Sequence, residues 1–382
     1  MSTHPPALPE YALMTHPSRL YSEVPATDWA DWQWQLRHAV ATGADLAQQL
    51  GLSVHWQRSC AEALRRYPPM ATPYYLSLAH SASPDDPILR QCLPHPDELH
   101  DAPDARPDPL AEEQSSPVPR LVHRYRDRAL FLCCSSCAVR CRHCMRKRHW
   151  HDALPPPSAA ELAAAVAYLR EHREVREVLL SGGDPLTLSD DALGGILDAF
   201  AAVPQLEVLR IGTRVPVTLP QRITADLCAM LAQSPKTLWI ATHFNHPWEL
   251  SNEAATAADR LLKAGMPLVN QSVLLRGIND DAETLRLLFT GLLKIKIKPY
   301  YLFHGDPVAG TTHFRTGIRK GLEIMDQLRG NTSGLALPAF AIDLPDAGGK
   351  IRLEPDCTAG CDSKGAPLFR SYNGNIVPYP NC

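Results

Sequence analysis

The sequence has no apolar run long enough to span a bilayer, no large excess of charge of either sign, and no recognisable export signal. A membrane helix needs roughly 18 or more consecutive apolar residues, and no such run occurs. The formal net charge of -3 gives no electrostatic case for nucleic acid or an anionic membrane as a partner. The N-terminus lacks the basic-then-apolar order of a signal peptide. We therefore expect a cytoplasmic globular protein.

Cysteine and proline, by contrast, are plentiful. Eleven cysteines are an odd count and, without an export signal, argue against a disulfide-stabilised secreted protein. Five of them fall within twelve residues, namely Cys133, Cys134, Cys137, Cys141 and Cys144. Cysteines crowded in this way in a cytosolic protein are more often metal ligands than disulfide partners. Prolines concentrate in residues 1–27 and 84–119, which predicts a loosely held arm and an extended connecting loop.

From about residue 128, short apolar runs alternate with amphipathic segments of helical length. The predicted strands are Ala129–Cys134, Glu177–Ser181, Glu207–Gly212, Thr237–Thr242, Leu268–Leu274 and Lys296–Phe303. The predicted helices are Ala159–Glu171, Asp190–Ala202, Thr224–Ala232, Glu253–Ala264, Ala282–Leu293 and Gly317–Leu328. Ser158 and Glu161 form a capping box before the first of these. Such repeats predict an α/β fold with a parallel sheet, open or closed into a barrel. Upstream, Trp29–Ala41 is predicted to form one helix.

The motif with the clearest chemistry follows the first predicted strand and reads Cys137-Ala-Val-Arg-Cys141-Arg-His-Cys144. Three thiolates at this spacing can bind three irons of a [4Fe–4S] cluster and leave the fourth iron free for a small molecule. A structural zinc site is the alternative, but it normally takes four protein ligands, and His143 would have to serve beside Cys144. The position of the motif on a strand–helix loop favours the cluster.

The cysteine spacing is that of radical S-adenosylmethionine (SAM) enzymes, and further stretches carry a more specific resemblance. In chain order they are HRYRDRALFL, CRHCMRKR, LSGGDPL, RIGTRVPV, THFNHPWEL, NQSVLLRGIND, KPYYLF, HFRT, LRGNTSG and DAGGK. As an ordered set they resemble the lysine 2,3-aminomutase family from roughly Asp85 to Lys350. The resemblance implies a partial (β/α)6 radical SAM barrel at 128–330. It is preceded by an arm with helices (1–84) and a linker (85–127), and followed by a C-terminal segment (331–382).

The resemblance also implies three cofactors: a [4Fe–4S] cluster, SAM and pyridoxal 5′-phosphate (PLP). Lys350 is implied as the lysine that holds PLP, with the PLP phosphate at Arg124, Tyr125 and Arg128. The residues implied near SAM are Ser181, Gly182, Gly183, Asp184, His143, Arg214, His243 and Gln271. Glycines let a backbone approach a ligand closely, and a carboxylate can hold an ammonium group. Judged locally, Lys350 would be a solvated loop residue and Asp184 a helix-capping acid.

Three residues bear on the substrate. The resemblance implies that Arg146 binds the substrate carboxylate, and that Asp306 and Asp343 bind a distal ammonium group. Two carboxylates around one buried cation satisfy both its charge and its donors. Glutamate-specific relatives replace these acids, so their presence favours an enzyme that interconverts L-α-lysine and β-lysine. Alternatives are arginine, or a lysine of elongation factor P, whose modifying branch the stretch SPDDPILRQCLPHPDEL resembles. A non-catalytic zinc-binding protein is the alternative from another class.

Beyond Lys350 we expect the resemblance to end. Cys357, Cys361 and Cys382 do not match the spacing of the cysteine group that longer family members carry near their end, so their role stays open. The implied chemistry also requires a reductant of flavodoxin or ferredoxin type, and we expect a homo-oligomer.

Overall fold

A computed structural model of the chain describes residues 21–380. Most of the predicted N-terminal arm, and Cys382, lie outside these residues. The described part contains one large sheet with helices packed against it and a small three-stranded sheet near the C-terminal end. The strands of the large sheet are β1 (Leu121–Tyr125), β2 (Arg128–Cys134), β3 (Glu177–Gly182), β4 (Val208–Gly212), β5 (Thr237–Thr242), β6 (Leu268–Leu274), β7 (Lys298–His304), β8 (Ala339–Leu344) and β9 (Gly349–Leu353).

The strands of the large sheet are neighbours in the same order as they follow along the chain. Strands β2 to β8 are parallel, and β1 and β9 pair with them antiparallel at the two ends of this order. This confirms the predicted α/β class and the partial barrel. All six predicted strands are present, with boundaries shifted by no more than two residues. The parallel strand β8 was not predicted, because only Phe340 and Ala341 of its residues are buried and its apolar signal is short.

The burial of the strands explains how the sheet positions a site. Along β3, Val178 and Leu180 are fully buried, while the residues between them are partly exposed. This alternation places one face of the strand in the core and the other face towards the interior of the barrel. Polar residues at the carboxyl ends of the parallel strands therefore gather in one place. The small sheet consists of β10 (Thr358–Cys361), β11 (Pro367–Arg370) and β12 (Ile376–Pro378).

The helices that follow the barrel strands also agree with the sequence. The α-helices of residues 21–380 are α1 (Ala26–Ala30), α2 (Trp32–Arg37), α3 (Gly43–Leu50), α4 (Val54–Arg66), α5 (Pro73–Ser77), α6 (Ala159–Glu171), α7 (Asp190–Ala201), α8 (Val215–Thr218), α9 (Ala225–Ala232), α10 (Asn252–Lys263), α11 (Ala282–Lys294) and α12 (Ile318–Leu328). The six predicted helices correspond to α6, α7, α9, α10, α11 and α12. The predicted capping box is confirmed, since Ser158 Oγ accepts from Glu161 N and Glu161 Oε2 accepts from Ser158 N. None of the helices in residues 21–380 is both long and apolar enough to cross a membrane.

The predicted helix Trp29–Ala41 is wrong, because two short helices, α1 and α2, take its place. Asp31 has extended backbone geometry between them, and its carboxylate accepts a hydrogen bond from Gln33 N at 2.9 Å. An aspartate in this position caps a new helix and so interrupts the longer one. Residues 84–119 contain neither an α-helix nor a strand of the sheets, as expected. They are nevertheless part of the core, since Leu89 and Cys92 are fully buried.

Candidate active site

A cavity of about 730 Å³ lies at the carboxyl ends of the parallel strands. It is lined by every residue that the sequence singled out for a cofactor or a substrate: Arg124, Tyr125, Arg128, Cys137, Cys141, His143, Cys144, Arg146, Ser181, Gly182, Gly183, Asp184, Arg214, His243, Gln271, Asp306, Asp343 and Lys350. These residues are separated by up to 226 positions in the chain, from Arg124 to Lys350. The fold therefore brings the predicted set together in one place.

The loop after β2 carries the three motif cysteines to the wall of this cavity. Burial raises the pKa of the Cys137 and Cys144 thiols, so their ionised forms need positive charge or N–H donors close by. The protein supplies an N–H donor at Cys144 and a cation at Cys141. Arg146 N donates to Cys144 Sγ at 3.3 Å, and Arg214 Nη1 lies 2.8 Å from Cys141 Sγ.

The Ser-Gly-Gly-Asp turn at the end of β3 packs directly against the cysteine loop. Gly182 has a φ of +115°, and Gly183 N donates to Cys134 O at 2.6 Å. A side chain at Gly183 would overlap the backbone of Ser136. The sequence predicted that these glycines admit a ligand. In the structure they also allow two segments of backbone to touch, which fixes the position of the cysteine loop.

Asp184 uses its carboxylate inside the protein. Thr213 Oγ1 and Arg214 N each donate to it at 2.6 Å, and Leu186 N donates at 3.1 Å. Burial raises its pKa, while these hydrogen bonds oppose the rise. The arrangement includes the capping role that its local sequence suggests. The contact of Asp184 with an ammonium group stays a prediction.

Two histidines face each other beside the cysteines. His143 Nε2 lies 3.0 Å from His243 Nε2, and Asn245 Nδ2 lies within hydrogen-bonding distance of both rings. Burial lowers the pKa of both, that of His243 to about 3, so neither carries a charge at neutral pH. His143 Nδ1 is buried and has no hydrogen-bond partner among residues 21–380. The histidine pair is therefore polar but uncharged.

Arg146 is held by a residue that the sequence analysis missed. Glu112, only 4% exposed, accepts hydrogen bonds from Arg146 Nε at 2.9 Å and Nη2 at 2.6 Å. Burial would raise the pKa of Glu112, but ion pairs with Arg146 and Arg148 hold it below its usual value. Arg146 Nη1 reaches Ser181 Oγ at 3.2 Å. No local pattern marks Glu112, because its partner lies 34 residues away in the chain.

Lys350 and Asp343 are cross-strand partners in the β8–β9 hairpin. Lys350 Nζ lies 3.0 Å from Asp343 Oδ2. The turn that joins the strands holds Asp346 and Ala347 at φ values of 54° and 59°, in the left-handed region that favours glycine. Asp346 pairs with Arg106 at 2.7 Å. This exposed ion pair joins the turn to the segment that contains Arg106.

Asp306 follows β7 in the same part of the cavity. Burial raises its pKa to about 7, and the nearby charge of Asp343 adds to the rise. Tyr125 OH donates to Asp343 Oδ1 at 3.3 Å, and no hydrogen bond to the Asp306 carboxylate occurs within the described residues. Asp343 thus has donors in Tyr125 and Lys350, whereas Asp306 has none among the described residues, and the two acids together form a site that favours a cation.

Arg124, on β1, needs an anionic partner rather than a cation. Its Nε and Nη2 atoms are buried and find no hydrogen-bond partner anywhere in residues 21–380. Arg128 lies over the ring of Tyr125, 3.8 Å from its centre. Buried donors of a charged group are rarely left unpaired in a folded protein. Their planar geometry suits an anionic group with several oxygens, such as a phosphate.

Comparison with known proteins adds to this geometry. The profile of the Radical SAM superfamily matches residues 132–288, and the profile described as Lysine-2,3-aminomutase matches residues 325–382. The chain is 41% identical to L-lysine 2,3-aminomutase of Bacillus subtilis, over 94% of this chain and 76% of that protein. The chain belongs to the lysine 2,3-aminomutase family. It is also 40% identical to the enzyme of the same name from Acetoanaerobium sticklandii, over 96% of this chain and 88% of that one. Glutamate 2,3-aminomutase of Clostridioides difficile is 39% identical, over 92% and 82%.

Membership of the family confirms the resemblance. It argues against the alternative of a non-catalytic zinc-binding protein, because the relatives are enzymes. The prediction that the resemblance ends near Lys350 is wrong, because the family profile continues to residue 382. Cys357 and Cys361 therefore lie in a segment that belongs to the family, and their role stays open.

The cavity fits the cofactors of the family. Radical SAM enzymes bind a [4Fe–4S] cluster and SAM, and lysine 2,3-aminomutases use PLP. Three cavity-facing thiols with N–H donors at two of their sulfurs suit the cluster. The unpaired donors of Arg124 suit the phosphate of PLP, and Lys350 provides an amine in the same cavity.

Proposed function

We propose that this protein is an L-lysine 2,3-aminomutase, which moves the amino group of free L-lysine between carbon 2 and carbon 3. The observation that carries the proposal is the distance of 3.0 Å from Lys350 Nζ to Asp343 Oδ2, in a cavity that also holds Asp306. Lys350 itself presents a primary alkylammonium group to this carboxylate. A substrate that ends in the same group meets a site of matching charge and geometry.

The proposed division of roles follows from the positions of the side chains. Cys137, Cys141 and Cys144 would hold the cluster, at which SAM would bind. The SAM contacts are Ser181, Gly182, Gly183, Asp184, His143, Arg214, His243 and Gln271. Lys350 holds PLP, and Arg124, Tyr125 and Arg128 hold its phosphate. When bound, SAM supplies a carbon radical that removes a substrate hydrogen atom, and PLP supplies a conjugated system for the migrating nitrogen.

The protein's own contribution is to orient the substrate. Arg146 offers its Nη1 atom, which also lies 3.2 Å from Ser181 Oγ, to the substrate carboxylate, because Glu112 occupies the Nε and Nη2 atoms and fixes the plane of the guanidinium. Asp343, with Asp306 in the same cavity, offers its carboxylate to the distal ammonium group of the substrate. Fixing both ends of lysine in this way determines which carbon faces the radical.

The charge of the cavity supports lysine over glutamate. A second substrate carboxylate beside Asp306 and Asp343 would place three acids in one buried region, which is unfavourable. Arginine would satisfy the same charge but requires a longer pocket. The guanidinium of arginine also prefers a planar partner that accepts two parallel hydrogen bonds. An ammonium group has no such preference and can bind two separate carboxylates.

The test is an anaerobic assay with SAM, PLP, dithionite and one amino acid at a time. L-Lysine should give β-lysine, and arginine, glutamate, alanine and tyrosine should react at least about tenfold more slowly, which corresponds to about 1.4 kcal/mol. A tenfold preference for arginine would overturn the assignment. So would a protein that leaves free amino acids unchanged but modifies a lysine within elongation factor P.

A further inference from the structure

The guanidinium of Arg214 connects the cysteine loop to a buried acid. Arg214 follows β4 and is 7% exposed. Its Nη1 atom lies 2.8 Å from Cys141 Sγ, and its Nη2 atom lies 2.6 Å from Glu249 Oε1. One positive charge thus stands between a cysteine of the cluster motif and a carboxylate. Neither contact was predicted, because Cys141 and Glu249 lie 73 and 35 residues from Arg214 in the chain.

The network around Arg214 leaves the side chain no freedom to turn. Its Nη2 atom also contacts Gln91 Oε1 at 2.5 Å and Tyr75 OH at 3.0 Å, and its Nε atom donates to His243 O at 3.2 Å. Each of the three nitrogens therefore has a partner. Gln91 and Tyr75 are themselves fully buried, so these contacts do not compete with solvent.

Glu249 is as firmly held as the arginine that it binds. Its carboxylate is fully buried, and Tyr75 OH donates to Oε1 at 2.9 Å. The backbone N–H groups of Asn245 and His246 donate to Oε2 at 2.5 Å and 3.0 Å. The carboxylate thus has four hydrogen-bond donors, one of which is the guanidinium of Arg214. The pair is therefore a fixed dipole whose positive end points at Cys141.

We infer that Arg214 sets the reduction potential of the cluster, and that Glu249 is the positioning residue that aims Arg214 and limits its effect. The inference rests on the proposed ligation of the cluster by Cys141. Reduction from [4Fe–4S]2+ to [4Fe–4S]1+ adds one electron, supplied by a protein of flavodoxin or ferredoxin type or by dithionite. The added negative charge is stabilised by a nearby cation and by a hydrogen bond to a cluster sulfur, both of which raise the potential. The negative charge of Glu249 acts in the opposite direction.

The experiment is an anaerobic redox titration of the reconstituted full chain without SAM, followed by the electron paramagnetic resonance of the reduced cluster. Arg214→Gln removes the charge and should shift the midpoint potential to a more negative value. Arg214→Lys keeps the charge but loses the fork, and should give a smaller negative shift. Glu249→Gln removes the opposing charge and should shift the potential to a more positive value. Opposite signs for the two positions are the result that a merely structural role does not give.

The matched control is a second pairing of an arginine with an acid in the same barrel. Arg222 is 1% exposed and donates to Asp190 at 2.6 Å, and neither residue lines the cavity. Asp190→Asn should leave the potential at the wild-type value. If Arg214→Gln fails to assemble a cluster, Arg214→Lys decides the question, through the sign of its shift.

The results that overturn the inference differ from those that overturn the proposed function. Variants with a full complement of iron and sulfide and an unchanged potential would overturn the role of Arg214. So would variants that differ from wild type only after SAM is added, which would leave Arg214 as a SAM contact alone. A wild-type protein that binds no cluster, or a Cys141→Ala variant that keeps all of its iron and sulfide, would instead overturn the proposed function.

Discussion

Two regions of the cavity differ in how their charges are balanced. In the thiol region (Cys137, Cys141, Cys144 and the side chains that contact them), the buried ions have protein partners: Arg214 pairs with Glu249, and Arg146 with Glu112. In the lysine region (Lys350, Asp343, Asp306, Tyr125 and Arg124), Lys350 pairs with Asp343. Two nitrogens of Arg124, however, find no partner within residues 21–380, and the pKa of Asp306 is raised to about 7.

The difference indicates what each region needs from a ligand. An unsatisfied buried polar group costs about 1–3 kcal/mol, and more when it is charged. The arginines of the thiol region avoid this cost through their ion pairs, so they are held in place before a cluster binds. In the lysine region this free-energy cost remains at Arg124 and Asp306. An anion bound at Arg124 and a cation bound at Asp306 would each reduce it. We expect the first region to depend on precise positions and the second on the charges of its ligands.

The largest expected effect comes from the thiols themselves. Changing Cys137, Cys141 or Cys144 to Ala should abolish both the brown chromophore and the activity, because each removes the only protein ligand of one iron. Cys133→Ala is the matched control: Cys133 is buried in β2 and does not line the cavity, so this variant should keep both. The measurement is iron and sulfide content after reconstitution. Full content in Cys141→Ala would contradict the assignment.

Features that depend on neighbouring residues could be predicted from the sequence, and features that depend on distant residues could not. The cluster motif could be predicted because its spacing is local, and the barrel strands could be predicted because each is a short apolar run. Glu112 and Glu249 were missed because each finds its partner in a distant segment, and nothing in the residues next to them records that partner. The helix Trp29–Ala41 was misjudged because its apolar pattern continues through Asp31, where a side-chain cap starts a new helix.

A second prediction concerns the amine of the lysine region. Lys350→Ala should abolish activity, because no other residue offers an amine beside Asp343 in this cavity within residues 21–380. Lys320→Ala, on the exposed side of α12, is the control and should retain activity. Borohydride reduction of the PLP-bound protein, followed by peptide mapping, should place the pyridoxyl group on Lys350. A label on Lys298 or Lys320 would show that PLP is held elsewhere.

A third prediction tests whether the two acids act on a distal ammonium group. Replacing Asp306 or Asp343 by Ala leaves that group half-paired, which costs about 2–5 kcal/mol for a buried charged pair. At about 1.4 kcal/mol per tenfold, kcat/KM for lysine should fall by roughly 30- to 4,000-fold. Asp306→Lys combined with Asp343→Asn should weaken lysine turnover and favour an acidic substrate instead. Unchanged kcat/KM in both alanine variants would remove the acids from the substrate site.

A fourth prediction concerns the unpaired donors of Arg124. Hydrogen bonds to a charged group contribute about 1.5–3 kcal/mol, so Arg124→Gln should weaken PLP binding by about 10- to 140-fold. Arg126→Gln removes the same charge from an exposed residue of the same hairpin and should leave the affinity unchanged. Equilibrium titration with PLP, read from its absorbance, measures both. Equal losses in the two variants would mean that only net charge matters and that the unpaired geometry of Arg124 does not.

The smallest expected effect is a pH dependence of substrate affinity, and it tests Asp306 directly. Its pKa of about 7 in the free protein lies above the ordinary value of 3.8, because burial and Asp343 favour the protonated form. The stability that this proton contributes to the free protein is present at about pH 4 and is lost as the pH rises through about 7. A bound ammonium group favours the ionised form instead, so lysine binding below pH 7 must release the proton. The apparent affinity for lysine should therefore fall as the pH falls below about 7, towards a limit of about tenfold per pH unit.

Asp306→Asn has no proton to release at this position. Its affinity for lysine should be lower than that of wild type, but it should not fall further with pH in this way. If wild type and Asp306→Asn keep parallel profiles between pH 5 and 7, about the range in which the wild-type proton is retained, another group titrates and Asp306 is ionised throughout.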